Sequence, residues 1–327
     1  MAEKDLLLDI KNLSVQFNTD SGVVRAVNNL NLQLERGKAV GFVGETGAGK
    51  TTTALAVLQL IQSPPGEITS GEILFNGQDI MKMTEAEKRH VRGGEIAMIF
   101  QDPMTSLNPI MSVEDQIAEM VTLHTDLKGS GAIARAHEML QLVGIRPERG
   151  PDYPHQFSGG MRQRVGIAIA LACTPSLLIA DEPTTALDVT IQAQVIELIK
   201  ELQQKVKTSM LLITHDLGIV AETCDSVAIM YAGKLVEYGP IEKIYENPTH
   251  PYTKGLFKAI PDLHGDVGGR LAVIPGLPPD MIDLPAGCSF SPRCELASER
   301  CHKEACGMVE IESGHYVDCF MSWKENA

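Results

Sequence analysis

A glycine-rich run near the start of the chain ends in a lysine and a threonine, a spacing suited to binding phosphate. It reads Gly44-Glu45-Thr46-Gly47-Ala48-Gly49-Lys50-Thr51, and Thr52 follows it. The run fits G-x-x-x-x-G-K-[ST] in full, and its glycines let backbone N–H groups surround phosphate oxygens. Lys50 would reach the β- and γ-phosphates, and the Thr51 hydroxyl would coordinate Mg²⁺. The run indicates a nucleotide site, against the alternative of an ordinary glycine-rich turn.

Two adjacent carboxylates, Asp181 and Glu182, follow an apolar run later in the chain. The run Leu177–Ala180 predicts a buried strand that delivers both side chains at its end. Asp181 suits a Mg²⁺ ion held through water, and Glu182 suits a base that polarises an attacking water. Strands often end in acidic residues, so the pair becomes a strong indication of phosphoryl chemistry only together with Lys50 in one α/β domain.

The elements around these motifs are predicted to position them. Ala39–Val43 suits a buried strand that enters the glycine-rich turn, and a helix is expected over Lys50–Ile61. Helical spacing of apolar residues in Val113–Leu123 and Ile133–Val143 predicts a helical insertion in the α/β domain. Further strands are predicted at Leu6–Val15, Val23–Leu34, Ile96–Phe100, Met210–Thr214, Val227–Met230 and Lys234–Tyr238, and further helices at Ser158–Ala172 and Ile191–Lys205.

A third motif precedes Asp181 and points to a family. It reads Ser158-Gly159-Gly160-Met161-Arg162-Gln163-Arg164. It resembles the LSGGQ signature of ABC ATPases, with Phe157 and Met161 in place of Leu and Gln. The resemblance implies an α/β fold of the P-loop NTPase, ABC type, with a RecA-like core, an N-terminal antiparallel β region and an inserted helical subdomain at about residues 102–172. ATP and Mg²⁺ are the implied cofactors.

Other markers of the ABC family fall at matching positions. Gln101 matches the Q-loop glutamine, which contacts Mg²⁺ and water, and His215 matches the switch histidine, which contacts the γ-phosphate. Ala186-Leu187-Asp188 matches the D-loop, and Phe17 matches the aromatic residue that stacks on adenine. The alternative for Phe17 is an ordinary core residue. The resemblance further implies that the signature helix of one subunit closes over the γ-phosphate held by another, so that hydrolysis needs a dimer.

A narrower resemblance covers nearly the whole chain. Gln101–Pro109, Tyr153–Gln156 and Asn247–Thr253 resemble segments of the ATPases of dipeptide and oligopeptide importers, a group that includes nickel importers. This implies two membrane permease subunits, an extracytoplasmic peptide-binding protein reached indirectly, and a second related ATPase, with a heterodimer favoured over a homodimer. Residues 1–246 would form the ATPase domain and residues 247–327 a C-terminal extension. The expected location is peripheral, on the cytoplasmic face of the membrane.

Composition limits the other functions open to the chain. Its 327 residues carry a net charge of −14, which argues against general DNA binding, since that depends on neutralising phosphates with Lys and Arg. No apolar stretch approaches the roughly 20 residues of a transmembrane helix, and no signal peptide is expected. A soluble ABC ATPase acting on nucleic acid or ribosomes fits poorly with one cassette and this charge. A small-molecule kinase would leave Ser158–Gly160 and His215 without a role.

Five of the seven cysteines crowd into the end of the chain, at Cys288, Cys294, Cys301, Cys306 and Cys319. Such clustering in a reducing cytosol suggests a metal site rather than disulfides, although the spacing fits neither a zinc ribbon nor a common ferredoxin. The importer ATPases carry a similar set, and some hold a [4Fe–4S] cluster. The resemblance implies this cluster on Cys288, Cys294, Cys301 and Cys319 in a small Cys-rich module. Zinc, a substitute ligand at Cys306 and a metal-free knot remain alternatives.

Overall fold

A computed structural model describes residues 5–102, 106–185, 187–259 and 273–325. The described chain divides into two compact units. The first contains residues 5–9, 33–39 and 74–214, and the second contains residues 10–32, 40–73 and 215–325, in each case without the gaps just given. The strands are β1 Leu6–Thr19, β2 Gly22–Glu35, β3 Ala39–Val43, β4 Gly66–Phe75, β5 Gln78–Asp79, β6 Ile96–Ile99, β7 Leu177–Asp181, β8 Ser209–Thr214, β9 Ser226–Tyr231, β10 Lys234–Pro240, β11 Val309–Glu312 and β12 His315–Val317.

The helices alternate with these strands. They are α1 Lys50–Val57, α2 Glu85–Gly94, α3 Val113–His124, α4 Ser130–Leu142, α5 Gly159–Leu171, α6 Val189–Val206, α7 Leu217–Thr223, α8 Ile241–Glu246, α9 Pro251–Lys258 and α10 Glu299–Lys303. The helical spacing predicted over Val113–Leu123 and Ile133–Val143 is confirmed by α3 and α4, which lie between β6 and β7. The boundary predicted at residues 246 and 247 stays a prediction.

The core of the first unit is a parallel arrangement of β6, β7 and β8. Ile96 pairs with Leu177, and Leu177 in turn pairs with Ser209. Every residue of β7 and β8 is buried, which suits a continuous apolar run covered on both faces. Because parallel strands end at the same edge, the residues that follow β6 and β7 are brought together there, and these include Gln101 and Glu182.

The second unit contains a mixed set of strands. β3 runs parallel to β9, with Val40 opposite Ser226, and β9 and β10 form an antiparallel pair with Ala232 and Gly233 between them. β10 then pairs with β12, and β12 with β11. Residues on both sides of position 247 therefore belong to one sheet. The described structure gives no support for a separate Cys-rich module.

Several elements differ from the sequence predictions. α1 ends at Val57 and not at Ile61, because Gln59 adopts a positive φ of 53° that a helix cannot continue through. The sequence predictions give no bounds for β4, β5, β11 and β12, nor for α2 and α7 to α10. α2 begins with a capping box in which the hydroxyl of Thr84 and the carboxylate of Glu87 satisfy each other's backbone N–H. This places Glu85 and Glu87 on an exposed helix face.

Candidate nucleotide site and cysteine cavity

The run Gly44–Thr51 forms the turn between β3 and α1. Gly47 and Gly49 have φ values of 80° and 105°, a region that other residues enter only with strain. A Cβ at Gly49 would lie 2.2 Å from the backbone oxygen of Ala26, and one at Gly44 would lie 2.2 Å from that of Met230. Glycine is therefore required at these positions for steric reasons, and the loop has the backbone expected of a phosphate cradle.

Lys50 lies at the start of α1 and folds back over this loop. Its ammonium group donates to the carbonyl oxygens of Gly44 at 2.7 Å and Glu45 at 3.0 Å. The side chain is buried, whereas Thr46, Gly47 and Thr51 are exposed along the loop; Thr52 is half-buried and Ala48 buried. The positive charge is thus held beside backbone N–H groups at a helix N-terminus, which together favour an anion.

Glu45 is anchored by residues far away in the sequence. Its carboxylate accepts both terminal nitrogens of Arg293, at 2.9 and 3.2 Å for Nη1 and 3.2 Å for Nη2. Its backbone N–H donates to the hydroxyl of Tyr252 at 3.0 Å. The sequence motifs did not reveal this support, because nothing in the local pattern around Arg293 or Tyr252 marks a contact with a phosphate loop.

Asp181 and Glu182 end β7 in the first unit. Asp181 is buried, and the backbone N–H of Glu182 donates to Ile213 at 2.8 Å. One carboxylate oxygen of Glu182 accepts Gln101 Nε2 at 2.9 Å and the Thr185 hydroxyl at 2.8 Å. Glu182 also has a positive φ of 44°, a costly conformation that persists only where surrounding structure enforces it. The structure therefore brings two predicted catalytic residues, Gln101 and Glu182, into direct contact.

Ser158 caps the N-terminus of α5. Its hydroxyl accepts the backbone N–H of Met161 at 3.4 Å, and Ser158 and Gly159 are exposed at the helix start. A Cβ at Gly160 would approach Ile191 to 2.7 Å, so that glycine fits a close contact with α6. The helix end that the sequence predicts for anion binding thus faces solvent, where a second chain could reach it.

The remaining predicted residues lie at exposed or partly exposed positions. Asp188 is the exposed N-cap residue of α6, and Ala186 lies outside the described residues. His215 is exposed just before α7, where the carboxylate of Asp216 caps the helix by accepting two backbone N–H groups. Phe17 is half-buried on β1, and its ring packs against Gly66 so closely that a Cβ there would lie 2.9 Å from it.

Comparisons with known proteins agree with these motifs. The sequence profile described as "ABC transporter" matches residues 27–185, and the profile described as "Oligopeptide/dipeptide transporter, C-terminal region" matches residues 236–301. The oligopeptide transport ATP-binding protein OppD of Bacillus subtilis (strain 168) is 49% identical over 317 residues, which are 96% of this chain and 88% of that protein. The chain belongs to the ABC transporter family of ATP-binding proteins.

A second relative and a solved structure are also similar to this ABC protein. The dipeptide transport ATP-binding protein DppD of Escherichia coli (strain K12) is 47% identical over 315 residues, 96% of each chain. The dimeric ATP-binding cassette MJ0796, solved in a post-hydrolysis state with ADP and Pi, superposes with a TM-score of 0.65 at 24% identity, covering 72% of this chain and 98% of that one. This structural likeness supports the fold. Among the described residues of this ABC protein, no helix has the length and apolar character needed to cross a bilayer.

The C-terminal cysteines of this ABC protein lie around one small cavity in the second unit. Its walls include Cys288, Cys294, Cys301, Cys319, His250 and Ser291. Cys306 lies at a neighbouring cavity, which it shares with Cys288 and Asp318. The four predicted ligands are therefore gathered in one place, and the spare cysteine is adjacent to them.

The size of the cavity and its donor set determine how well it fits a metal group. Its volume of about 20 Å³ holds about one water molecule, so a larger group would have to displace the thiols around it. In the described part of the chain, no three or more His, Cys, Asp or Glu side chains are arranged as a group that could hold a metal ion. In favour of a bound group, the Ser291 hydroxyl is buried without a hydrogen-bond partner among the described residues. The donor set suits a metal, and a bound cluster would require the thiols to move apart from the arrangement that they have here.

Burial governs the thiols of this cavity. It raises the pKa of Cys288 to about 11 and also raises the pKa values of Cys294 and Cys319. At Cys306 burial raises the pKa to about 12. Neighbouring cysteines add to each shift, since two thiolates repel each other. These groups are neutral thiols near pH 7, and any cation bound there would have to release their protons.

Proposed function

We propose that this chain is the ATP-hydrolysing subunit that powers import of dipeptides or oligopeptides through a membrane ABC transporter. The observation that carries the proposal is the similarity to peptide-transport ATP-binding proteins at 47–49% identity over 96% of the chain, C-terminal extension included. The oligopeptide/dipeptide profile over residues 236–301 supports the same substrate class, because it matches the part of the chain outside the ATPase motifs.

The roles of the site residues follow from their chemistry and from the family. Backbone N–H groups of Gly44–Thr51 would hold the phosphates, with Lys50 as the cation. Thr51, Asp181 and Gln101 would hold Mg²⁺, which supplies charge neutralisation when bound. Phe17 would stack on adenine, and His215 would contact the γ-phosphate.

Glu182 is proposed as the base that polarises the attacking water. The carboxylate is an acceptor oriented by Gln101 and Thr185, which each donate one hydrogen bond to the same oxygen. A carboxylate has several acceptor sites, so it can accept from water in addition to its protein donors. The positive φ of Glu182 supports this role, because strained backbone of this kind clusters at functional sites.

Two chains would be needed for hydrolysis. The helix start at Ser158, Gly159 and Gly160, of which the first two are exposed, supports docking onto a nucleotide held by another subunit. The exposed Asp188 suits the same interface. A related but different ATPase is the favoured partner, and a second copy of this chain is the alternative. The permeases would meet the segment after Gln101, where the side chain of Ile110 is 82% exposed. This contact would hold the protein on the cytoplasmic face of the membrane.

We also propose that Cys288, Cys294, Cys301 and Cys319 hold a [4Fe–4S] cluster, with zinc as the alternative. Support comes from their common cavity, from the unpartnered Ser291 hydroxyl and from the family resemblance. The test is anaerobic purification followed by measurement of iron, sulfide and zinc and a visible absorption spectrum. About four iron per chain with a broad absorption band would support the cluster. One zinc without colour would replace it, and absence of both would make the cysteines packing residues.

The transport function is tested in proteoliposomes that contain the partner permeases, the second ATPase and a peptide-binding protein. Peptide uptake should require ATP together with this chain. Glu182→Gln should keep ATP binding and lose both phosphate release and uptake. Uptake of nickel without uptake of peptide would redirect the substrate assignment. ATPase activity stimulated by nucleic acid and indifferent to permease would overturn the transport function itself.

A further inference from the structure

Arg293 of the C-terminal extension is directed into the phosphate loop. It lies in a short turn between Cys288 and Cys294, and its side chain is 6% exposed. Both terminal nitrogens contact the carboxylate of Glu45, and Nε donates to the Pro275 carbonyl at 2.9 Å. The two residues are 248 positions apart in the sequence. A buried, two-pronged ion pair over such a separation is a built contact, because both geometry and desolvation must be satisfied at once.

An aromatic cluster holds this contact in place. Tyr231 accepts a hydrogen bond from Arg293 at 3.2 Å, and its ring lies 5.2 Å from Phe290 and 4.6 Å from Tyr252. Tyr252, which is fully buried, accepts the backbone N–H of Glu45. The extension therefore hydrogen-bonds to Glu45 at two points, its side chain and its backbone. The turn itself is closed separately by the Ser291 N–H donating to Cys288 and the Arg293 N–H donating to Phe290.

The contact between Arg293 and Glu45 matters because the Glu45 carboxylate is negatively charged. A nucleotide triphosphate brings several negative charges to this loop, and a carboxylate within it would repel them. Like charges a few ångströms apart repel each other substantially at the dielectric of a protein surface. Arg293 cancels the carboxylate charge and holds it in a fixed position. Its planar fork binds both carboxylate oxygens, which a lysine cannot do.

We propose that Arg293 is a positioning residue for nucleotide binding, which neutralises Glu45 and fixes the phosphate loop from the C-terminal extension. The proposal rests on the nucleotide-binding function proposed above. It assigns to the extension a part in ATP affinity. Arg293 acts only through Glu45, so removal of the Glu45 charge should remove much of the need for Arg293.

The test compares Arg293→Met, Glu45→Gln and the double variant in the full-length chain. The dissociation constant for ATP is measured by equilibrium titration, and kcat and KM are measured for hydrolysis. Arg293→Met is expected to weaken ATP binding by about tenfold, mostly in KM and little in kcat. The double variant should recover to within about threefold of the unmodified protein. Lys303→Met is the matched control, since Lys303 pairs with Glu299 on the surface of the same extension.

The outcomes separate a positioning role from a structural one. A double variant that binds ATP as weakly as Arg293→Met, or an Arg293→Met that binds normally, would overturn the proposal. If Arg293→Met does not fold, Arg293→Lys replaces it, with an intermediate loss of affinity expected and rescue by Glu45→Gln required. Failure of the unmodified protein to bind ATP would instead refute the proposed function, so the two failures are distinct.

Discussion

Glu237 is a fully buried carboxylate on β10 that ties three segments together, and its replacement by glutamine tests how the extension is held. One oxygen accepts the Thr249 N–H at 2.8 Å and His315 Nε2 at 2.8 Å, and the other accepts the His250 N–H at 2.9 Å. Since a carboxylate only accepts, His315 Nε2 must carry the proton in this contact. His250 and His315 are buried with it, and Thr249 is half-buried.

These contacts determine how much the free energy of unfolding should fall in Glu237→Gln. The amide oxygen of glutamine can take the place of the oxygen that faces Thr249 and His315. The amide nitrogen then faces the N–H of His250. The amide N–H of the new glutamine and the backbone N–H of His250 are therefore two buried donors without acceptors. Each unsatisfied buried group costs about 1–3 kcal/mol, so the free energy of unfolding should fall by about 2–6 kcal/mol. That is a large part of the stability of a typical domain.

Urea unfolding at pH 7.5, followed by far-ultraviolet circular dichroism, measures this loss. Glu312→Gln is the control, because Glu312 is a half-exposed strand residue that pairs with Lys243 at 3.4 Å and should contribute under about 1 kcal/mol. A loss below about 1 kcal/mol in Glu237→Gln, or equal losses in the two variants, would refute the accounting of buried donors.

Three further predictions rest on individual contacts. Burial lowers the pKa of His250 from 6.5 to about 4, so between these pH values the unfolded chain binds more protons than the folded protein. The free energy of unfolding should therefore fall as pH drops from 6.5 to 4. His250→Asn keeps an acceptor for the Tyr252 N–H and should flatten this fall, as measured by urea unfolding at several pH values. Gly49→Ala should weaken ATP binding by about 100-fold or more, measured by titration, because its φ of 105° and the Ala26 carbonyl exclude a Cβ. Gly166→Ala, in the interior of α5 with open space around it, should raise stability by about 0.5–1 kcal/mol in the same unfolding assay; a loss would show that the helix has no room there.

The sequence predicts the elements whose signals are local. β3 and the glycine-rich turn were predictable because a short apolar run followed by glycines allows few structures. β4 was not, because its sequence GEITSGEILF carries no regular apolar alternation. α2 is mostly polar, with Val91 buried, and its clearest local signal was the Thr84 and Glu87 capping box. The Ser313-Gly314 turn between β11 and β12, where Gly314 has a φ of 77°, is also a local signal. The strands beside it are too short to show a pattern of their own.

The residues of the candidate site also divide into those with a local sequence signal and those without one. Motif spacing identified Lys50 and Glu182 because their chemistry demands those residue types at those places. The contact of Gln101 with Glu182 was not visible in the spacing, although parallel strands that end at one edge make it understandable. Arg293 and Tyr252 were missed altogether, since a pairing across more than 200 positions leaves no local pattern.

The extension is therefore more than an attachment to an ATPase domain. Within the second unit it supplies the side chain that neutralises Glu45 and the hydroxyl that takes the Glu45 N–H. Without it, a partly buried carboxylate and a backbone donor would lose their partners in the loop meant to receive phosphate, and both losses carry a free-energy cost. The glycine-rich motif alone specifies the path of the backbone. The charge balance of the loop depends on residues that any division of the chain near position 247 would assign to a different part.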